Sequence, residues 1–187
     1  TTKKLSLRGA RAIADSCQYM DLKHGGYSTF LTLTFDKEAR QRLALNESTI
    51  QKETSRFFDS LQKVYRRGWV AKTDLGNVRV PGSPKPLMYC WVAEKPKNKE
   101  GEDNPHLHIL MSWKVPKALF RPWAARIEKL WGQGFGRLEK IKKPEMAGAY
   151  MAKAAGYMTK GADNADQGEI KGNRYGISKE SRAPEWE

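Results

Sequence analysis

The 187-residue chain is poor in cysteine and histidine and has no long apolar run. Two cysteines, Cys17 and Cys90, are too few and too far apart for a disulfide framework or a Cys-rich zinc module, so a reducing compartment is expected. No stretch approaches the ~20 apolar residues of a membrane span, and the opening Thr1-Thr2-Lys3-Lys4 lacks both an initiator Met and the apolar core of a signal peptide. A membrane location is not expected, and the missing Met reads as a processed or excised piece of a longer protein. Acid is also scarce: 21 Asp and Glu face 34 Lys and Arg, a net charge of +13. That excess points to a polyanionic partner, with nucleic acid, a ribosomal site and an anionic membrane surface all open at this level. Six Trp and 39% hydrophobic residues exclude disorder throughout. With no repeat period and no low-complexity tract, residues 1–187 read as one domain.

Hydrophobic patterning divides the chain into alternating elements. Leu5 to Leu22 is helical and closed by Gly25-Gly26, and Ser28 to Phe35 is a strand rich in Thr, Phe and Leu. From Ser48, a fitting N-cap, apolar residues recur at three- and four-residue steps to Gly68, predicting an amphipathic helix. Lys72 to Pro86 reads as a loop or hairpin, Met88 to Glu94 as a second central strand, and Lys95 to Pro105 as a polar connection. His106 to Trp113 gives a third strand, antiparallel to the second. Pro116 to Trp131 reads as a helix, Phe135 to Ile141 as a short strand, Pro144 to Lys160 as a helix with Gly161 as C-cap, and Lys171 to Ser178 as a last strand. The expectation is an α+β fold: a mostly antiparallel sheet of about five strands with helices on one face, of the split βαβ kind.

Two of the three histidines, His106 and His108, are separated by one apolar residue inside a predicted strand. Strand alternation puts both imidazoles on one face, ~7 Å apart, with Leu107 and Ile109 on the other. They can converge on one metal ion if a neighbouring strand adds a third ligand, and Glu94 at the end of Met88 to Glu94 is placed to do so. Two His and one carboxylate leave positions open for substrate and water, as a catalytic metal site requires. The bland reading of the same residues is a pair of surface histidines beside a solvated carboxylate. His24, before Gly25-Gly26, reads as a helix-end or loop residue outside the site.

On the predicted helix from Pro144, Tyr150, Lys153, Tyr157 and Lys160 fall within about 80° of arc, so two Tyr and two Lys share one face. A tyrosine hydroxyl with its ordinary pKa near 10 needs cationic help to act as a nucleophile. A lysine one turn along the same face can give that help and hold phosphate oxygens. The competing reading is a half-buried Tyr stripe packed on the sheet.

Between residues 121 and 143, the cations Arg121, Arg126, Lys129, Arg137, Lys140, Lys142 and Lys143 outnumber Glu128 and Glu139, with Phe120, Trp123, Trp131 and Phe135 interleaved. Cations release counterions from phosphates and exposed aromatics stack unpaired bases, although Trp123 and Trp131 also sit at the spacing of core residues. Arg66, Arg67, Lys95, Lys97, Lys99, Arg174 and Lys179 are further groove candidates.

Phe30-Leu-Thr-Leu-Thr34 on the first strand, Glu94 ahead of His106-Leu-His108, and Tyr-x-x-Lys on a later helix resemble, in order, the three motifs of HUH endonucleases. Among these the likeness is to rolling-circle replication initiators of filamentous and other single-stranded DNA phages and plasmids. The resemblance runs from about residue 28 to 160, with the tail to Ser178 similar to the strand after the catalytic helix. It implies the RRM/ferredoxin-like HUH fold and a divalent ion, Mg²⁺ or Mn²⁺, on His106, His108 and Glu94. It further implies a tyrosine that attacks the scissile phosphate to leave a 5′-phosphotyrosine link and a free 3′-OH. The implied partners are single-stranded origin DNA, with or without a hairpin, and a host helicase, in the cytoplasm of a bacterial host. In the two-tyrosine branch the pair is usually four residues apart. Here Tyr150 and Tyr157 are seven apart, about 10 Å along a helix axis. Gly156 and Gly161, flanking the second Tyr-x-x-Lys unit, favour Tyr157 by allowing close approach of DNA. The rival readings are a relaxase or transposase on the same scaffold and a non-catalytic nucleic-acid-binding domain.

Overall fold

A computed structural model describes residues 1–155 and 167–185. Helix α1 (Leu7–His24) is started by the Ser6 hydroxyl, which accepts from Gly9 N, and stopped by Gly25 in the left-handed region at φ 77°. Strand β1 (Thr29–Phe35) follows, then α2 (Lys37–Ala44) and α3 (Ile50–Arg67). Next come β2 (Gly68–Thr73), β3 (Gly76–Pro81), β4 (Tyr89–Glu94) and β5 (His106–Met111). After α4 (Phe120–Trp131), β6 (Gly134–Lys140), α5 (Ala147–Ala155) and β7 (Tyr175–Ile177) complete the order. Strands β6-β1-β5-β4-β7 form one sheet whose pairings are all antiparallel, so the expected α+β class holds; β2 and β3 pair separately.

Helices cover both faces of this sheet, not one as the patterning suggested. Leu31, Leu33, Phe35, Trp91, Ala93, Leu107 and Ile109 pack against Phe57 and Leu61 of α3 and Trp123, Ile127 and Trp131 of α4. On the other face, Phe30, Cys90, Val92 and Leu110 pack against Ile13, Cys17 and Met20 of α1 and Ala147 and Met151 of α5. The reason lies in the strands themselves: β4 and β5 are buried on successive residues, and a strand apolar on both sides needs cover on both. Each fully buried large side chain contributes roughly 1.5–3 kcal/mol relative to exposure. Trp131 is doubly anchored, edge-on to Phe35 and Phe57 while its indole N–H donates to Thr34 O at 2.9 Å.

Other departures are local. The α3 N-cap is Thr49, whose hydroxyl accepts from Lys52 N, while Ser48 donates to Glu53 instead. Strand β2 begins directly at Gly68, whose φ of 80° and lack of Cβ let Val80 and Gly82 backbone approach closely. The helix expected from Pro144 opens with a 3₁₀ turn, Pro144–Met146, before α5; residues 156–161, including the expected helix end and Gly161, lie outside the described residues. Both cysteines are buried and free, and burial with Cys17 as neighbour pushes the Cys90 thiol up, away from nucleophilic use. Among the described residues no helix is long and apolar enough to cross a membrane.

Candidate metal centre and nucleic-acid face

Two adjacent central strands build the cluster. In the β4–β5 register Glu94 lies opposite His106, and in the β1–β5 register Thr34 and Thr32 lie opposite His106 and His108. Alternation then puts Glu94, His106, His108, Thr32 and Phe30 on the face that carries α1 and α5. Glu94 Oε1 is 3.0 Å from His108 Nε2 and 3.5 Å from His106 Nδ1, and all three ligand atoms lie within 4.8 Å of one another. With metal–ligand bonds of about 2.1 Å, neighbouring ligands sit about 3 Å apart, so the two carboxylate–imidazole spacings already fit one ion. Only the two imidazoles must close slightly.

The electrostatics suit a cation. Burial alone would push the Glu94 carboxyl up, but hydrogen bonds from His106 and His108 and their positive charge outweigh it and hold it down at about 2. Side-chain exposures of 15% for Glu94, 21% for His106 and 7% for His108 describe a shallow recess open on one side. Behind His108, Thr32 Oγ1 lies 3.3 Å from Nδ1 and the Phe30 ring stacks at 5.9 Å and 7°. Thr32 was not legible as a site residue from sequence, because its proximity depends on β1 pairing with β5 across most of the chain.

The sequence-derived residues divide by place. Tyr150 is half-buried on α5, its ring 5.8 Å from Phe30, one ring away from His108, and Lys153 is exposed on the same helix. Tyr157 and Lys160 lie outside the described residues. Arg121, Arg126 and Lys129 belong to α4, on the sheet face opposite the cluster, where Trp123 and Trp131 are core. Arg137 and Lys140 are exposed on β6, and Lys142 and Lys143 are exposed beyond it. Arg174 is not a surface cation: it is 4% exposed, and its guanidinium donates to the carbonyls of Thr2, Ala93, Gln167 and Gly168. His24, last in α1, is exposed with Tyr19 edge-on to it. The largest cleft among the described residues, about 1100 Å³, opens along β7 between α1 and α3 and includes no residue of the Glu/His/His cluster.

An antiparallel sheet with helices on both faces, carrying a recessed Glu/His/His set on two central strands, defines an α+β protein able to hold a divalent ion at a solvent-accessible face. The chain belongs to the ORF2-type family of replication-associated proteins, whose model matches residues 28–162, the span holding β1, the cluster and α5. Neither comparison with curated proteins nor comparison with solved structures finds a match.

Proposed function

We propose that this protein is a replication initiator of the HUH type, which nicks and rejoins single-stranded DNA through a covalent tyrosine link. The observation that carries the reading is the convergence of Glu94, His106 and His108 on one accessible face, in a member of a replication-associated family. A divalent ion held by these three, Mg²⁺ or Mn²⁺ by resemblance, supplies positive charge that polarises a scissile phosphate. Tyr157 is the attacking residue in this reading. Packing of the Tyr150 ring against Phe30 supports a positioning part for that residue. The Tyr157 hydroxyl oxygen forms a bond to phosphorus as the bond to the 3′ oxygen breaks. The hydroxyl proton leaves to solvent and the 3′ oxygen takes one up, so one phosphodiester is exchanged for another and reversal rejoins the strand. Lys160 and Lys153 hold phosphate oxygens one turn from each tyrosine.

The test is an SDS-stable band formed with end-labelled single-stranded origin DNA and Mn²⁺. The adduct is expected to vanish on chelation and in Tyr157→Phe, and to persist in Tyr150→Phe. An adduct that survives loss of both tyrosines refutes the mechanism. Binding of origin DNA without any adduct favours a non-catalytic nucleic-acid-binding domain.

A further inference from the structure

Strand β6 is the free edge of the sheet on the β1 side, and its register carries the cluster's rows outward. Phe135 lies opposite Thr34 and Arg137 opposite Thr32, which lie in turn opposite His106 and His108. Phe135, Thr34, His106 and Glu94 therefore form one row across four strands, and Arg137, Thr32 and His108 a second, all on one face. Two strand spacings put Phe135 about 10 Å from His106. Helices α1 and α5 lie over β4, β5 and β7, leaving this corner uncovered: Phe135 is 65% exposed and the Arg137 side chain 81%.

A large aromatic held so open on a strand calls for a partner. Gly134 and Gly136 flank it, so only Arg137 rises beside it along the strand. Arg137 pairs with Glu139 at 3.1 Å, but both ends of that pair are exposed, and a pair of that kind gives way readily to a phosphate. A ring with a cation two residues along the same face is what a single strand needs, since every base offers a π-face and every link a charge.

Resting on the reading proposed above, we infer that Phe135 and Arg137 form a landing platform for unpaired DNA beside the cluster. Phe135 stacks a base adjacent to the phosphate held at Glu94, His106 and His108, and Arg137 binds the neighbouring phosphate. The platform recognises single strands in general and reads no base edge. A second copy of the chain pairing through the β6 edge is the rival occupant; the charge of +13 and continuity with the cluster favour DNA.

The experiment measures fluorescence anisotropy of a 5′-labelled oligo(dT) and of a duplex of equal length in EDTA, so that metal and chemistry do not enter. Phe135→Ala should weaken single-strand binding about tenfold and Phe135→Trp should restore it, with duplex binding little changed. Arg137→Ala should lower the slope of log K against log salt by about one. Because both side chains are exposed, thermal melting should stay within a degree or two of the parent. Parental oligo(dT) affinity in Phe135→Ala overturns the platform, as does loss of self-association on sedimentation with DNA binding intact. Nicking is read separately: adduct formation by the parent with no Phe135 effect overturns the platform alone. Absence of adduct alongside Phe135-dependent binding overturns the strand-transfer reading and leaves the platform standing.

Discussion

Replacing Thr32 by Val tests whether the Glu/His/His cluster is a metal centre with an outer layer or only an ion pair on a sheet. The Thr32 hydroxyl lies 3.3 Å from His108 Nδ1. Without metal, His108 Nε2–H donates to Glu94, and Nδ1 accepts from the hydroxyl. With an ion on Nε2, the proton must sit on Nδ1 and the hydroxyl must accept it. Because a hydroxyl both donates and accepts, the contact serves both states; the isosteric, β-branched Val serves neither. Outer-layer partners of ligating histidines typically contribute 10- to 100-fold in metal affinity. The long contact argues for the lower end, so Thr32→Val should raise the Kd for Mn²⁺ about tenfold, or about 1.4 kcal/mol. At an ion concentration 100 times the parent Kd, stabilisation should fall from about 2.7 to about 1.4 kcal/mol. For a chain of this size that is a loss of about 3–5 °C in the metal-induced rise of Tm. Titration calorimetry with Mn²⁺, together with melting in EDTA and in Mn²⁺, reads both quantities. Unchanged Mn²⁺ affinity in a variant whose EDTA melting matches the parent refutes the second-layer argument.

The remaining expectations concern the cluster and the scaffold. Replacing Glu94 with Gln, or either cluster histidine with Ala, should abolish the Mn²⁺-induced rise in Tm; retention of the full rise would place the ion elsewhere. Arg174→Met leaves several buried carbonyls without their donor and should destabilise by roughly 3 kcal/mol or more; a stable variant with weakened DNA binding would return Arg174 to the DNA-facing set. Trp131→Phe removes the N–H that serves Thr34 O and should cost about 1–3 kcal/mol in urea unfolding. Burial tends to raise the Glu53 carboxyl, but hydrogen bonds from Arg56 and Ser48 lower it overall. Its stabilisation is therefore complete above the ordinary Glu pKa and is lost as pH falls through the depressed native value. Glu53→Gln should flatten the fall of stability with pH below about 4.5, and an unchanged pH profile would refute that assignment.

Much of the cluster could be read from the chain because its geometry is local. His-x-His on an apolar strand can only put both rings on one face, and a carboxylate ending the preceding strand is the natural third donor in an antiparallel pair. What escaped reading is set by distant pairing. Nothing local to β1 tells that it lies between β5 and β6, so Thr32 behind His108 and Phe135 beside the cluster stayed hidden. A charge count treats Arg174 as solvent-facing because it carries no information on which carbonyls lack donors. Helix α4 looked like a nucleic-acid surface for the same reason: its cations are real, but its tryptophans turn it to the far side of the sheet. Helix α2 passed unnoticed because it buries only Ala39, which leaves almost no apolar periodicity. Strand β2 was missed because six residues directly after a helix cap read as part of a loop.

The register of β4 against β5 also bears on how such proteins can diverge. Glu94 meets His106 because the two strands are paired at that rung, and the polar segment between them arches away without taking part. Insertions or deletions in that arch would alter the count of residues separating acid from histidines while leaving the three donors in place. A search for relatives by fixed spacing would therefore overlook chains with the same centre, whereas a search for a strand-ending carboxylate facing the first histidine of a paired His-x-His would find them.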